Sequence, residues 1–377
     1  MDKIYWGADA GLAAYHRSRF EEFKTSGSEA FEKACRAEDG RLKHVVSAEH
    51  LDLALLKIIH DTTNAARRIS KIEPEFLKGL LRHTSVLNYF PQPSTRTFLS
   101  FSRAESKLGI QREEVRDLKT SSTAKGESDL DALRTQSSFY EGMVVRHPSD
   151  LYGHFTVWAM QNSRRPLHIF NAGSGTKEHP TQAILDHYTM EESLGEIDGK
   201  TIAFYGDCLR SRVIHSGARL LALHKEMTVY FVAPEHLQID TETEDYIAQR
   251  GVTVHKIKTG IGELPSFVDV NYMTRLQDEY GAGSQSEKYP TNLVFTEDHL
   301  RMMPETSILM HPMPKREEID PRLDYIDDKR IMLWRAQRNG MWTRAGTMAY
   351  VFGVDEQIRN KYTFLEKKME KMMRPRR

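Results

Sequence analysis

From about residue 46 onward, short runs rich in β-branched and aromatic residues alternate with stretches whose apolar positions recur at helical spacing. That alternation predicts strand and helix units stacked around parallel sheets. The first series of runs is SVLNYF (85–90), EEVRDL (113–118), GMVVRHP (142–148) and LHIFNAG (167–173). The second is TIAFYGD (201–207), TVYFVAP (228–234), VTVHKI (252–257), VDVNYMT (268–274) and TSILMHP (306–312). Between them, HPTQAILDHYTMEESLG (179–195) spaces Ile184, Leu185 and Tyr188 as a helix does and marks the junction of two domains. The expected class is α/β, with one domain over 46–190 and another over 191–338, each a mainly parallel sheet flanked by helices. A helical pattern with a basic tail occupies 339–377, and a polar, helix-prone extension whose role the sequence does not disclose occupies 1–45.

Ligands of open α/β sheets sit beyond the carboxyl ends of the strands, so the residues after each run carry the candidate chemistry. After SVLNYF come Ser94, Thr95, Arg96 and Thr97, followed by a helix with an apolar stripe through Phe98, Phe101, Ala104 and Leu108. The first turn of such a helix offers backbone N–H groups and the positive end of a dipole; with hydroxyls and a guanidinium added, it suits a phosphate. The plain alternative is an N-cap by Ser94, with the threonines and arginine facing water. Ser121 and Lys125 follow the next run, Arg146 ends the third, and His179 and Gln182 follow the fourth. Arg212, Arg275 and Gln277 repeat the pattern in the second series, where two cations suit a ligand with more than one carboxylate. Each of these taken alone reads first as an exposed loop residue or a cap; their recurrence at successive strand ends points to a shared site.

Composition narrows the field. At 377 residues the chain is too long for one ordinary core, and 53 Lys plus Arg balance 53 Asp plus Glu, so no overall field draws it to nucleic acid or an acidic membrane. Any anion site must be local. Cys35 and Cys208 make no disulfide framework, no metal-type Cys/His spacing occurs, and no apolar run reaches membrane-spanning length. The N-terminal stretch carries acids early and lacks a signal-peptide core, so the cytoplasm is the expected location. Neither G-x-G-x-x-G after a strand nor G-x-x-x-x-G-K-[ST] is present, which disfavours nucleotide binding, and no nucleophile and base spacing argues for a covalent intermediate.

The segments PSTRTFLSF, SSTAKGES, VVRHP, EHPTQAILD, GDCLRSRVIHS, DVNYMTRLQ and HPMP, in that order over about 46–355, resemble the transcarbamoylase family. The aspartate branch is the better match, because the ornithine branch normally has HCLP for HPMP and lacks MTRLQ. The resemblance implies the transcarbamoylase fold, with a C-terminal helix returning to the first domain. It also implies a reaction without metal or organic cofactor, in which the amine of L-aspartate attacks carbamoyl phosphate. The products are N-carbamoyl-L-aspartate and phosphate, the second step of de novo pyrimidine synthesis. Carried over by motif, Ser94, Thr95, Arg96, Thr97 and Arg146 would hold the phosphate. Thr97, Arg146 and His179 would surround the carbonyl oxygen, with His179 a neutral donor. Gln182 and the backbone at Pro312 and Met313 would hold the carbamoyl nitrogen and incoming amine. Arg212 would take the α-carboxylate, and Arg275, Gln277 and Lys125 the side-chain carboxylate. The family also implies a homotrimer in which Ser121 and Lys125 act in a neighbouring subunit's site. A regulatory chain or higher oligomer is left open.

Five positions depart from the family pattern. Gln92 stands where many relatives carry glutamate, Phe98 where a second arginine is common, Tyr280 where some carry a loop arginine, and Lys315 where arginine is usual; Asp278 borders an insertion. Loss of both the acid and the loop arginine implies that domain closure is held by other contacts and that cooperative switching of the usual kind is absent. The alternatives are a transcarbamoylase for another amino acid or amine, and a catalytically silent regulatory homologue.

Overall fold

Strand pairing divides the chain into two parallel sheets, seen in a computed structural model that describes residues 4–116, 126–277 and 288–373. By contact the chain forms two units, residues 1–175 with 341–377 and residues 176–340.

In the first unit, helices α1 (Ala10–Thr25) and α2 (Ser28–Cys35) precede strand β1 (His44–Val45) and helices α3 (Leu53–Ile72) and α4 (Pro74–Leu80). Strand β2 (Ser85–Tyr89), α5 (Thr95–Leu108), β3 (Gln111–Val115), α6 (Asp129–Gln136), β4 (Gly142–His147), α7 (Tyr152–Gln161) and β5 (His168–Ser174) follow. The sheet order is β1, β5, β4, β2, β3, all parallel. The chain reverses its winding between β2 and β4, and a crevice opens at the carboxyl ends of such a strand pair. As the stripe predicts, α5 buries Phe98, Phe101, Ala104 and Leu108. It also buries Glu105, whose Oε2 accepts from Asn88 Nδ2 of β2 at 2.9 Å.

The N-terminal extension caps this unit. Trp6 and Phe20 pack on Phe155 of α7, with ring centroids 5.3 and 5.7 Å away, and Phe20 also meets Trp158 at 5.6 Å. Tyr5 N donates to Asp129 Oδ2 (2.8 Å) and Tyr5 O accepts from Asp129 N (2.9 Å), which ties the extension to the start of α6. At its other end, Arg41 stacks on Tyr350 at 4.2 Å and donates to Asp355 at 2.7 Å. These contacts give the described part of the extension, residues 4–45, the packing role that its polar composition conceals.

The second unit contains α8 (Pro180–Leu194), β6 (Thr201–Tyr205), α9 (Arg212–Leu221), β7 (Thr228–Val232), α10 (Thr241–Ala248), β8 (Thr253–Ile257), β9 (Val270–Met273), α11 (Glu297–Met302) and β10 (Ile308–Met310). Helix α12 (Leu333–Val351) carries the chain back to the first unit, which ends in α13 (Asp355–Met373). The sheet order is β10, β9, β6, β7, β8, again parallel throughout, and the winding reverses between β6 and β9. Central strands β6 and β9 are buried almost completely, which is why they read as continuous apolar runs, whereas the edge strand β8 is half exposed. No helix among the described residues is long and apolar enough to cross a membrane.

Candidate functional site

In the first unit, the β2 loop and the end of β4 meet at the switch point. Gln92 N donates to Arg146 O at 3.2 Å, which holds the Ser94 turn beside Arg146, and Arg146 Nη1 donates to Ala172 O at 3.1 Å. Thr95 and Arg96 are exposed, Ser94 is half-buried and Thr97 buried. Ser94 is the N-cap residue of α5, with extended backbone, but its hydroxyl makes no capping bond. The plain cap expected as the alternative reading is therefore not what this serine does. The same holds for His179 at the start of α8 and Ser211 at the start of α9. By contrast Asp9, Asp52, Ser128 and Asp240 each cap their helices in the ordinary way. Helices α5, α8 and α9 thus start without a side-chain capping bond, whereas Ser128, at the end of the SSTAKGES segment, caps α6. Phe98, one of the departures, lies in the core edge-on to Phe90 at 5.5 Å, with the Arg116 guanidinium 4.5 Å above its ring.

In the second unit, three loops follow neighbouring strands. Arg212 is the first residue of α9 and almost buried; Arg275 and Gln277 follow β9; Pro312 and Met313 follow β10. Gly206, at φ 106°, lets the β6 loop approach the β9 loop so closely that a Cβ there would lie 2.1 Å from Thr274 O. Asp207, fully buried, accepts from Arg210 N (3.0 Å), Arg210 Nε (2.8 Å) and Gln277 N (3.0 Å), and so ties the two loops together. His179 is buried and donates its backbone N–H to Ser216 Oγ at 2.9 Å; its Nδ1 lies 3.4 Å from Thr181 Oγ1. Gln182 Nε2 donates to Asp186. Ser121, Lys125, Asp278 and Tyr280 fall outside the described residues.

The β10 loop is held by a buried pair. Met313, at φ 62°, donates its N–H to His311 Nδ1 at 2.7 Å, so the ring proton sits on Nε2, 2.7 Å from Glu318 Oε1. Burial works to raise the Glu318 pKa, but the His311 contact and nearby backbone donors outweigh it and hold the carboxyl below its ordinary value. The departure Lys315 pairs with Asp324 at 2.5 Å. Sequence reasoning passed over Asp186, Asp207, His311 and Glu318. Asp186 and Asp207 lie inside quoted motifs, and a lone acid amid apolar neighbours on a helix or strand end is the signal that could have flagged them.

Models of the family described as aspartate/ornithine carbamoyltransferase match most of the chain: its carbamoyl-P binding domain over 43–192 and its Asp/Orn binding domain over 198–351. The chain belongs to this family. Among curated members of the carbamoyltransferases, the chloroplastic aspartate carbamoyltransferase of Arabidopsis thaliana is 34% identical over 313 residues, covering 80% of this chain and 76% of that one. The aspartate carbamoyltransferase catalytic subunit of Methanocaldococcus jannaschii is 33% identical over 286 residues, covering 75% and 90%. Aspartate transcarbamoylase from Trypanosoma cruzi, solved with carbamoyl aspartate and phosphate, superposes with a TM-score of 0.71 at 32% identity, covering 81% of this chain and 94% of that one. The two parallel sheets with their flanking helices are the transcarbamoylase fold.

Proposed function

We propose that the chain is an aspartate carbamoyltransferase, transferring the carbamoyl group of carbamoyl phosphate to the amine of L-aspartate. The observation that carries this reading is the placement of Arg212, Arg275 and Gln277 on loops after the adjacent strands β6 and β9, joined by Asp207. Two guanidiniums and an amide there suit a ligand with two carboxylates, where an ornithine side chain would present a cation. The T. cruzi relative, solved with carbamoyl phosphate and aspartate, supports the same pair of substrates.

In this mechanism residues 43–192 act as the carbamoyl-phosphate domain and 198–351 as the aspartate domain, the ranges of the family models. Ser94, Thr95, Arg96, Thr97 and Arg146 hold the phosphate. Thr97, Arg146 and His179 donate to the carbonyl oxygen as it gains charge, and such preorganised donors contribute roughly 3–4 kcal/mol each in comparable sites. Gln182 and the Pro312–Met313 backbone hold the nitrogens, and the proton lost by the amine passes to the departing phosphate. Carbamoyl phosphate is already activated, so holding two reactants in line supplies much of the rate, up to roughly 7–11 kcal/mol. The working assembly is a homotrimer with Ser121 and Lys125 completing a neighbour's site. Its setting is the cytoplasm, which the two free, buried cysteines suit.

A colorimetric ureido-product assay with carbamoyl phosphate against aspartate, ornithine and putrescine tests the reaction. Product with aspartate alone supports it; turnover of ornithine, or none with any acceptor, overturns it. Mixing inactive Lys125→Ala and Arg96→Ala variants tests site sharing: activity returns if subunits complete one another, and no return after verified subunit exchange refutes it.

A further inference from the structure

Gln182 and Asp186 lie one helical turn apart on α8, so their side chains share a face. Gln182 Nε2 is 3.1 Å from Asp186 Oδ1 and 3.3 Å from Oδ2, and Tyr272 Oη, projecting from β9, donates to Oδ2 at 2.7 Å. All three are shut away from water, at 7%, 4% and 1% exposure. Both carboxylate oxygens act as acceptors here, and a carboxylate has no donor to offer the amide. The amide NH2 must therefore face Asp186, which turns Oε1 away from it. A flipped amide would set Oε1 against a carboxylate oxygen and forfeit a buried hydrogen bond.

We propose that Asp186, steadied by Tyr272, is a positioning residue that locks the Gln182 amide in one orientation and so makes Gln182 a hydrogen-bond acceptor in the reaction. The inference rests on the carbamoyl-transfer reading above. The carbamoyl NH2 and the attacking amine both carry N–H groups, and each needs an acceptor at its side. An amide locked with Oε1 outward supplies one; an amide free to turn presents donors to donors for part of the time. Asp186 touches no reactant and acts only through Gln182.

The test is a mutant cycle in the full-length enzyme. Asp186→Asn keeps shape and volume but offers its own NH2 to Gln182 Oε1, which turns the amide over. Its kcat is expected to fall about 30-fold, with KM for carbamoyl phosphate within about threefold, the split given by an interaction made mainly in the transition state. Gln182→Ala should be impaired comparably, and the double variant should match Gln182→Ala within about twofold, because a residue acting through another adds no further loss once that other is gone. Tyr272→Phe provides a second route if Asp186→Asn does not fold: a smaller kcat loss, about threefold, that disappears in the Gln182→Ala background. Wild-type kcat in Asp186→Asn or in Gln182→Ala, or a loss that persists undiminished in the double variant, overturns the inference. A wild-type enzyme that does not carbamoylate aspartate overturns instead the reading on which it rests.

Discussion

Glu105 makes the stability of the first unit depend on pH in the direction opposite to that of most acids. It lies on the inner face of α5, fully buried, and burial is the main cause raising its pKa from the ordinary 4.5 to about 7, against the lesser pull of Asn88 and Arg112. Because the folded value lies above the unfolded one, the native state holds a proton that the unfolded chain has lost between these limits. The stability this contributes is complete below about pH 4.5 and is lost as pH rises through 7. The rise from 4.5 to about 7 corresponds to about 3 kcal/mol, at 1.36 kcal/mol per pH unit. Glu105→Gln removes the titration. It also supplies an amide NH2 for Asn88 Oδ1, which with Glu105 Oε1 is a buried atom lacking a hydrogen-bond partner. Urea unfolding of both proteins at pH 5 and pH 8 measures the effect. Wild type should lose about 3 kcal/mol relative to Glu105→Gln between those pH values, with equal m-values. Parallel pH dependence of the two proteins would refute the argument.

Two other outcomes follow from single side chains. Asp207→Ala removes three hydrogen bonds, two that brace the β6 loop at Arg210 and one that joins it to the β9 loop at Gln277; with Arg210 partly able to turn to water, the loss is about 2–4 kcal/mol. Thermal unfolding should show it, and steady-state kinetics should show KM for aspartate rising tenfold or more, since about 1.4 kcal/mol is tenfold, while KM for carbamoyl phosphate stays near wild type. Phe20→Ala empties the centre of the aromatic cluster under the N-terminal extension and should cost about 3–5 kcal/mol. Calorimetry should register that as a Tm lowered by roughly 10 °C.

The sheets were largely legible because parallel strands covered by helices must be apolar along their length, and both series of runs from SVLNYF to TSILMHP became strands. Helix α5 was legible through its stripe. The role of the extension was not, because Trp6 and Phe20 find their partners at Phe155 and Trp158, more than a hundred positions away, and nothing local marks that packing. Motif by motif, residues that would touch substrate could be named, since they sit in loops whose polarity is conspicuous. Those that hold them in place could not: Asp186, Asp207 and the His311–Glu318 pair owe their importance to partners 7 to 86 positions distant. Long-range polar pairing leaves no periodic signature in a chain.

The proposed reaction requires two sets of donors, the Ser94–Thr97 turn with Arg146 and the Arg212, Arg275, Gln277 set, to serve one pair of anionic reactants. Calorimetric titration with N-(phosphonacetyl)-L-aspartate, which joins a phosphonate to two carboxylates, tests it most directly. Wild type should bind tightly, with affinity lost by about 100-fold or more in Arg96→Ala and in Arg212→Ala alike, as charge-assisted contacts to the two ends of one ligand require. Undiminished binding in either variant would contradict the account.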